Sequence, residues 1–272
     1  MTKSVPSSEY DKAYFEGRYQ NIDYTKLEGG NGFDHIYQKA GSMLELGESA
    51  KVVDLGCGTG QLAFYLYLKY KCYITGIDYS PDAIYFCHKN ANALDYFQEY
   101  ADLGKKVNFL QANNDNLPNF QNIQAVFLVD VLEHLYDEEI DLVMDKIKKW
   151  SGKGGIQIVI HTDNNNYLRF IRPLTDGLLV IFGKSTFEEI KKGKAEVAKG
   201  HINLTAAGKL EKKLKRHGFR ILKIKYPDMN IDLVRAHLGT ISKIKPILYV
   251  AYYVGKLLYF LRPSFYLLAK YQ

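Results

Sequence analysis

Apolar residues along the chain fall into short runs separated by longer amphipathic stretches. Lys51 to Leu55 (KVVDL) and Cys72 to Asp78 (CYITGID) have the β-branched, apolar character of buried strands. Lys106 to Ala112 (KVNFLQA), Ala125 to Leu132 (AVFLVDVL) and Gly155 to Thr162 (GIQIVIHT) repeat it, and the fourth run is apolar enough to be covered on both faces. Between them, Gln61 to Tyr70, Pro81 to about Tyr100 and Asp137 to Trp150 suit helices. Ser80 before Pro81, with Asp82 in the first turn, is an N-cap signature. Such alternation with short connections predicts an α/β fold, a doubly wound and mainly parallel sheet. Further on, Thr205 reads as the cap of a basic amphipathic helix ending at Gly218, with a sixth strand to about Tyr226.

The first strand runs into a turn with glycine at every second position, Gly56, Gly58 and Gly60. Residues without Cβ let a ligand lie against backbone N–H groups, and the helix from Gln61 points its positive end at the same spot. Such a turn calls for a nucleotide-like ligand. The dinucleotide fingerprint G-x-G-x-x-G is not met, because its third glycine falls at Gln61. Asp78, 24 positions beyond Asp54, stands where an acid ending the second strand of a βαβ unit meets a ribose. Because Ser80 supplies the helix cap, Asp78 is expected to be free for a ligand.

The D-x-G-x-G-x-G turn at Asp54 to Gly60, with D-x-L-E-H at Asp130, Leu132, Glu133 and His134, resembles the class I S-adenosylmethionine (SAM) methyltransferases. The resemblance spans about residues 10–226 and 264–272. It implies SAM as cofactor, held by Asp54, Gly56, Cys57, Gly58, Gly60, Asp78, Tyr79 and Asp130. NNDNLP resembles the family's adenine-binding segment, with Asn113 where an acid is usual and Asp115 the nearest acid. An asparagine there still accepts through its amide oxygen. The stretch YFEGRYQ looks like the family's lid, with Arg18 facing the methionine carboxylate. SFYLLAKYQ looks like a seventh strand, antiparallel beside the sixth. The expected architecture is therefore a Rossmann-like sheet of seven strands with a helical lid over residues 1–48. Residues 49–272 then form the catalytic domain, with helical insertions at 164–200 and 227–263.

Composition narrows the setting. The N-terminal stretch has no apolar core of the kind a signal peptide needs, so a cytoplasmic protein is expected. Cys57, Cys72 and Cys87 lack metal-ligand spacing, which argues for reduced thiols and no metal. The net charge of +6 is uneven: residues 1–200 carry 22 Lys and Arg against 27 Asp and Glu, and residues 201–272 carry 14 against 3. A basic end of this kind attracts phosphate on a membrane, a nucleic acid or a substrate.

Within the second insertion, Ile247 to Leu261 is apolar or aromatic except at Gly255 and Lys256. As a helix it is roughly 22 Å long, short of the ~30 Å needed to cross a bilayer. A packing helix, a dimer contact and an interfacial helix on anionic lipid all fit it; the lack of any acid after Asp232 favours the lipid. The acceptor is then a small or lipid-linked molecule. An RNA acceptor is the weaker reading, because the basic end is interleaved with aliphatic runs, and a non-catalytic SAM-binding protein is the third. Methyl transfer to a hydroxyl or carbon acid needs a base, for which His134, partnered by Glu133, and His161 are the candidates, with His201 nearby.

Overall fold

The computed structural model describes residues 5–19, 32–94, 98–181, 183–228, 231, 243 and 245–272. Two helices, α1 (Lys12–Tyr19) and α2 (His35–Gly41), precede the sheet. There follow β1 (Lys51–Leu55), α3 (Gln61–Tyr70), β2 (Tyr73–Asp78), α4 (Pro81–Leu94), a single turn α5 (Leu103–Lys106) and β3 (Val107–Gln111). The chain then returns to the centre as β4 (Ala125–Val129), α6 (Asp137–Trp150) and β5 (Ile156–Asp163). After α7 (Arg172–Ile181) and α8 (Phe187–Gly200) come α9 (Ala207–Arg216), β6 (Arg220–Lys225), α10 (Lys245–Leu257) and β7 (Ser264–Tyr271).

The strands form one sheet in the order β3-β2-β1-β4-β5-β7-β6. β1 to β5 are parallel, and β7 runs antiparallel between β5 and β6. Alternation along the strands divides the core in two. Val52 and Ile74 face α2, α3 and α4, while Val53, Val126 and Ile158 face α6 and α9. The strand order reverses between β1 and β4, so a crevice opens above the carboxyl ends of these strands.

Three local expectations are corrected. The helix from Pro81 ends at Leu94, and Tyr100 and Leu103 turn inward separately, each 1% exposed, to close the core beside α3. Thr205 does not cap α9: it is drawn into a bridge with Asn164, and Ala206 occupies the cap position without a side-chain bond. Third, one cation of the basic helix is drawn onto α6, while Lys209, Lys212, Lys215 and Arg216 stay exposed. Lys213 lies 2.8 Å from Asp137 and 3.2 Å from Asp141 of α6, and His217 contacts Asp141 and Asp145.

Both expected insertions leave the sheet at one corner. Asn164, just past β5, donates its backbone N–H to Pro263 O at 2.7 Å and its side-chain amide to Phe260 O and Arg262 O, both at 2.8 Å. Residues 1–4 and 20–31 of the expected lid, and 229–230, 232–242 and 244 of the second insertion, lie outside the described residues.

Candidate active site

The glycine turn is stitched to the next strand by its own backbone. Gly56 and Cys57 both donate to Ile77 O, at 2.7 and 3.0 Å, so the turn folds over the end of β2. Gly56 has φ +77°, and a Cβ there would stand 2.4 Å from Val131 Cγ2. Gly60, with φ +85°, caps α3 and is pressed between the Phe64 and Phe109 rings. Both positions exclude other residues by conformation and by contact. At Gly58, by contrast, the space a Cβ would fill is open.

Asp78 is not free, contrary to the expectation from Ser80. Ser80 does accept from Ala83 N–H at 3.2 Å, but Asp78 also accepts from Ser80 N–H at 2.9 Å and from Gly58 N–H at 3.0 Å. Its carboxylate thus fastens the glycine turn while remaining on the wall of a cavity. Burial raises its pKa to about 6 against the pull of those N–H donors.

That cavity, about 560 Å³, runs from the glycine turn across to the ends of β4 and β5, within the usual size of small-molecule sites. Gly56, Gly58, Asp78, Tyr79, Asn113, Asp130, Glu133, His134 and His161 line it. Asp54, Cys57 and Gly60 do not. Asp54 is 2% exposed behind the turn and accepts from Ala63 N–H at the start of α3; burial, then the nearby Asp78 charge, raises it to about 7. Cys57 faces inward, 3.9 Å from Cys87 Sγ. The Asn113 oxygen already accepts from Asp115 and Asn116 N–H, both at 3.1 Å, so the amide acts first as a turn cap. The side chain of Arg18 lies outside the described residues.

At the other end of the cavity the sheet delivers two histidines and their partners. Asp130, leaving β4, has φ +56°, and its Oδ1 lies 2.5 Å from His161 Nδ1. A carboxylate only accepts, so His161 donates to it from Nδ1. His161 is 3% exposed, its ring packs on Tyr266 at 4.4 Å, and Nε2 has no partner among the described residues.

Glu133 does not orient His134. Neighbouring residues on a helical turn diverge, and Glu133 turns into the protein, accepting from Thr162 Oγ1 at 2.8 Å. Burial, then the Asp130 charge, pushes its carboxyl far above the ordinary range. His134 instead meets Gly200 O at 3.0 Å and Tyr10 OH at 2.8 Å, both through Nδ1. The carbonyl can only accept, so Nδ1 holds the proton. Burial lowers the His134 pKa to about 4, and the ring is neutral near pH 7. His201 packs edge-on at 4.8 Å, its Nδ1 3.1 Å from Asp163 Oδ2.

Two wall residues were missed in the sequence. Asp163 follows His161 by two positions in β5 and therefore shares its face, a signal that strand alternation carries. Tyr10 had no such signal. It reaches His134 across 124 positions, and its backbone oxygen accepts from Ser80 Oγ at 2.7 Å. Phe15 behind it packs on Ala83 and Phe86 of α4, holding residues 5–19 over the cavity.

A crossed-over parallel sheet, a glycine turn at its switch point and a cavity along the strand ends define a cofactor-binding α/β protein. The chain belongs to the family described as the methyltransferase domain, whose model matches residues 46–218. A probable (S)-tetrahydroprotoberberine N-methyltransferase 2 of Papaver bracteatum is 23% identical over 133 residues, 48% of this chain and 34% of that protein. The chain therefore spans about a third of the length of this curated relative. Among solved structures, a SAM-dependent methyltransferase from Aquifex aeolicus has a TM-score of 0.55 at 17% identity, covering 96% of this chain and 99% of that one. A geranyl diphosphate methyltransferase has 0.55 at 13%, covering 86% and 77%. The [4+2]-cyclase SpnF has 0.56 at 18%, covering 88% and 80%. At these identities the likeness is one of fold.

Proposed function

We propose that this protein is a SAM-dependent methyltransferase acting on a small-molecule acceptor. The observation that carries the reading is one continuous cavity joining the glycine turn and Asp78 to the Asp130–His161 pair. The turn fits the cofactor: Gly58 faces open space, and Asp78 on the adjacent wall suits ribose hydroxyls. When bound, SAM supplies an electrophilic methyl group on a sulfonium. The chain's own part is to hold the acceptor in line and exclude water. The His161–Asp130 pair on the cavity wall is the group nearest to a general base where the acceptor has a proton to lose. His134 and Tyr10 close the chamber and hold residues 5–19 across it.

We read the acceptor as apolar or lipid-linked and the protein as meeting an anionic membrane surface. In support, α10 leaves Val250, Tyr253 and Leu257 at 62%, 63% and 76% exposure, with Phe170 and Leu174 exposed on the neighbouring insertion. Lys245 and Lys256 border that face. No described helix is long and apolar enough to cross a membrane. The RNA reading is the weaker one because the basic end is interleaved with apolar runs, and one cation of α9, Lys213, is already engaged by α6.

The cyclase among the solved neighbours keeps a non-methylating reading in view, since one fold serves many reactions. Thermal shift with SAM, its demethylated product S-adenosylhomocysteine and NAD tests the cofactor. Stabilisation by NAD alone rejects it. Label from methyl-labelled SAM in a cell extract then tests transfer: a protein that binds SAM yet labels nothing is not a methyltransferase.

A further inference from the structure

We propose that the acceptor atom is a basic nitrogen, and that Asp130 and Asp163, with the aromatic group around Tyr10, receive its positive charge. The proposal rests on the methyltransferase reading and deepens it.

The chamber is acidic although the protein as a whole is basic. Six acidic residues line it, Asp78, Asp115, Asp130, Glu133, Glu139 and Asp163, of which Glu133 turns inward and is held towards its neutral form by burial, and Asp78 is raised to about 6. Among the described residues no lysine or arginine does. Asp130, next to the Val131 that packs on Gly56, and Asp163 stand at the ends of β4 and β5, with side chains 39% and 36% exposed. Both are close to a histidine, Asp130 to His161 and Asp163 to His201. His161 beside them is 3% exposed, bonded through Nδ1 to Asp130, and its buried Nε2 has no partner among the described residues.

This lining discriminates between acceptors by charge. A carboxylate or phosphate would enter against two carboxylates with no fixed cation to offset them. A hydroxyl or carbon acid develops negative charge as its proton leaves, and the same groups oppose it. An amine does the reverse, because its nitrogen becomes positive as the new bond forms. Tyr10, Tyr14 and Tyr79, with ring centroids 5.0 and 5.7 Å from Tyr10, offer π faces at the same chamber.

In the transfer step the nitrogen lone pair forms the C–N bond while the C–S bond breaks, its electron pair staying on sulfur as a neutral thioether. A basic nitrogen enters as its ammonium ion and must first release that proton to water, which frees the lone pair; a primary or secondary amine releases one more after transfer. A tertiary amine releases only the first proton and leaves as a quaternary cation.

The test uses the full chain, methyl-labelled SAM and a small-molecule cell extract, after S-adenosylhomocysteine binding has been established by thermal shift. The labelled product is expected to be retained by a cation exchanger at pH 7 and to keep its label through mild alkali. Label in an anionic or neutral product, or released as methanol, overturns the amine assignment while leaving the methyltransferase reading intact. Bound S-adenosylhomocysteine with no labelled product overturns both. With the purified acceptor, Asp163→Asn is expected to raise KM about tenfold with the affinity for S-adenosylhomocysteine unchanged. An unchanged KM removes Asp163 from the site.

Discussion

Replacing Asp54 by asparagine isolates the electrostatic load carried beneath the glycine turn. Asp54 is 2% exposed, one oxygen accepts from Ala63 N–H, and Oδ2 has no partner among the described residues. Its pKa rises from 3.8 to about 7. A carboxyl raised in the fold stabilises the native state below its unfolded value and loses that effect as pH climbs through the folded value. At 1.36 kcal/mol per unit, holding Asp54 protonated in the fold while the unfolded carboxyl ionises costs about 2 kcal/mol at pH 5, and the cost levels off at about 4 kcal/mol by pH 8.5, where Asp54 is ionised in both states.

An asparagine in its place would keep the bond to Ala63 and cannot ionise. Its unpaired amide hydrogens carry a penalty of about 1–3 kcal/mol that does not change with pH. The expected result is therefore a slope: relative to the wild type, Asp54→Asn gains about 2–3 kcal/mol between pH 5 and pH 8.5. That corresponds to roughly 5–10 °C in Tm, read by calorimetry or fluorescence on the ligand-free protein. A Tm difference that stays flat across this range refutes the argument, because the load would then not be ionisation.

Three further outcomes follow from geometry. Gly56→Ala should lower stability by about 1–3 kcal/mol, and Val131→Ala should recover part of it, since Val131 Cγ2 is the atom a Cβ would meet; thermal melts of the single and double variants decide. His161→Gln should cut kcat by roughly 10²–10⁴-fold without weakening S-adenosylhomocysteine binding; Asp130→Asn, tolerated at φ +56°, should produce a comparable loss, and the double variant little more. Leu257→Glu should reduce sedimentation with phosphatidylglycerol vesicles about tenfold at unchanged Tm, whereas equal binding to neutral vesicles by the wild type would remove the role of charge.

How much of this was legible in the sequence depends on the range of the contact involved. β1, β2, β3 and β5 could be placed within a residue or two, because apolar runs and glycine punctuation are local signals, whereas β4 stops at Val129, three residues short of the expected Leu132. The antiparallel seventh strand followed from family resemblance. The glycine turn was visible, but not that Asp78 fastens it or that Asp54 lies behind it. Both depend on which way a carboxylate turns once β1 and β2 are paired. Glu133 and His134 looked like a couple because they are adjacent, and adjacency on a turn separates them. The partners they took, Thr162, Gly200 and Tyr10, lie 29, 66 and 124 positions away.

Net charge misled in an instructive way. An excess of 14 basic over 3 acidic residues in the last quarter points to phosphate, and on the outer surface of α10 that reading stands as a proposal. Yet folding sorts charges rather than averaging them. One residue of the basic excess, Lys213, is drawn onto α6, and acids scattered over the chain converge on the chamber. A sheet brings this about by construction: residues that end parallel strands are distant in sequence and neighbours in space. The protein can thus present cations to its surroundings and carboxylates to its acceptor. The sign that governs chemistry is the one inside.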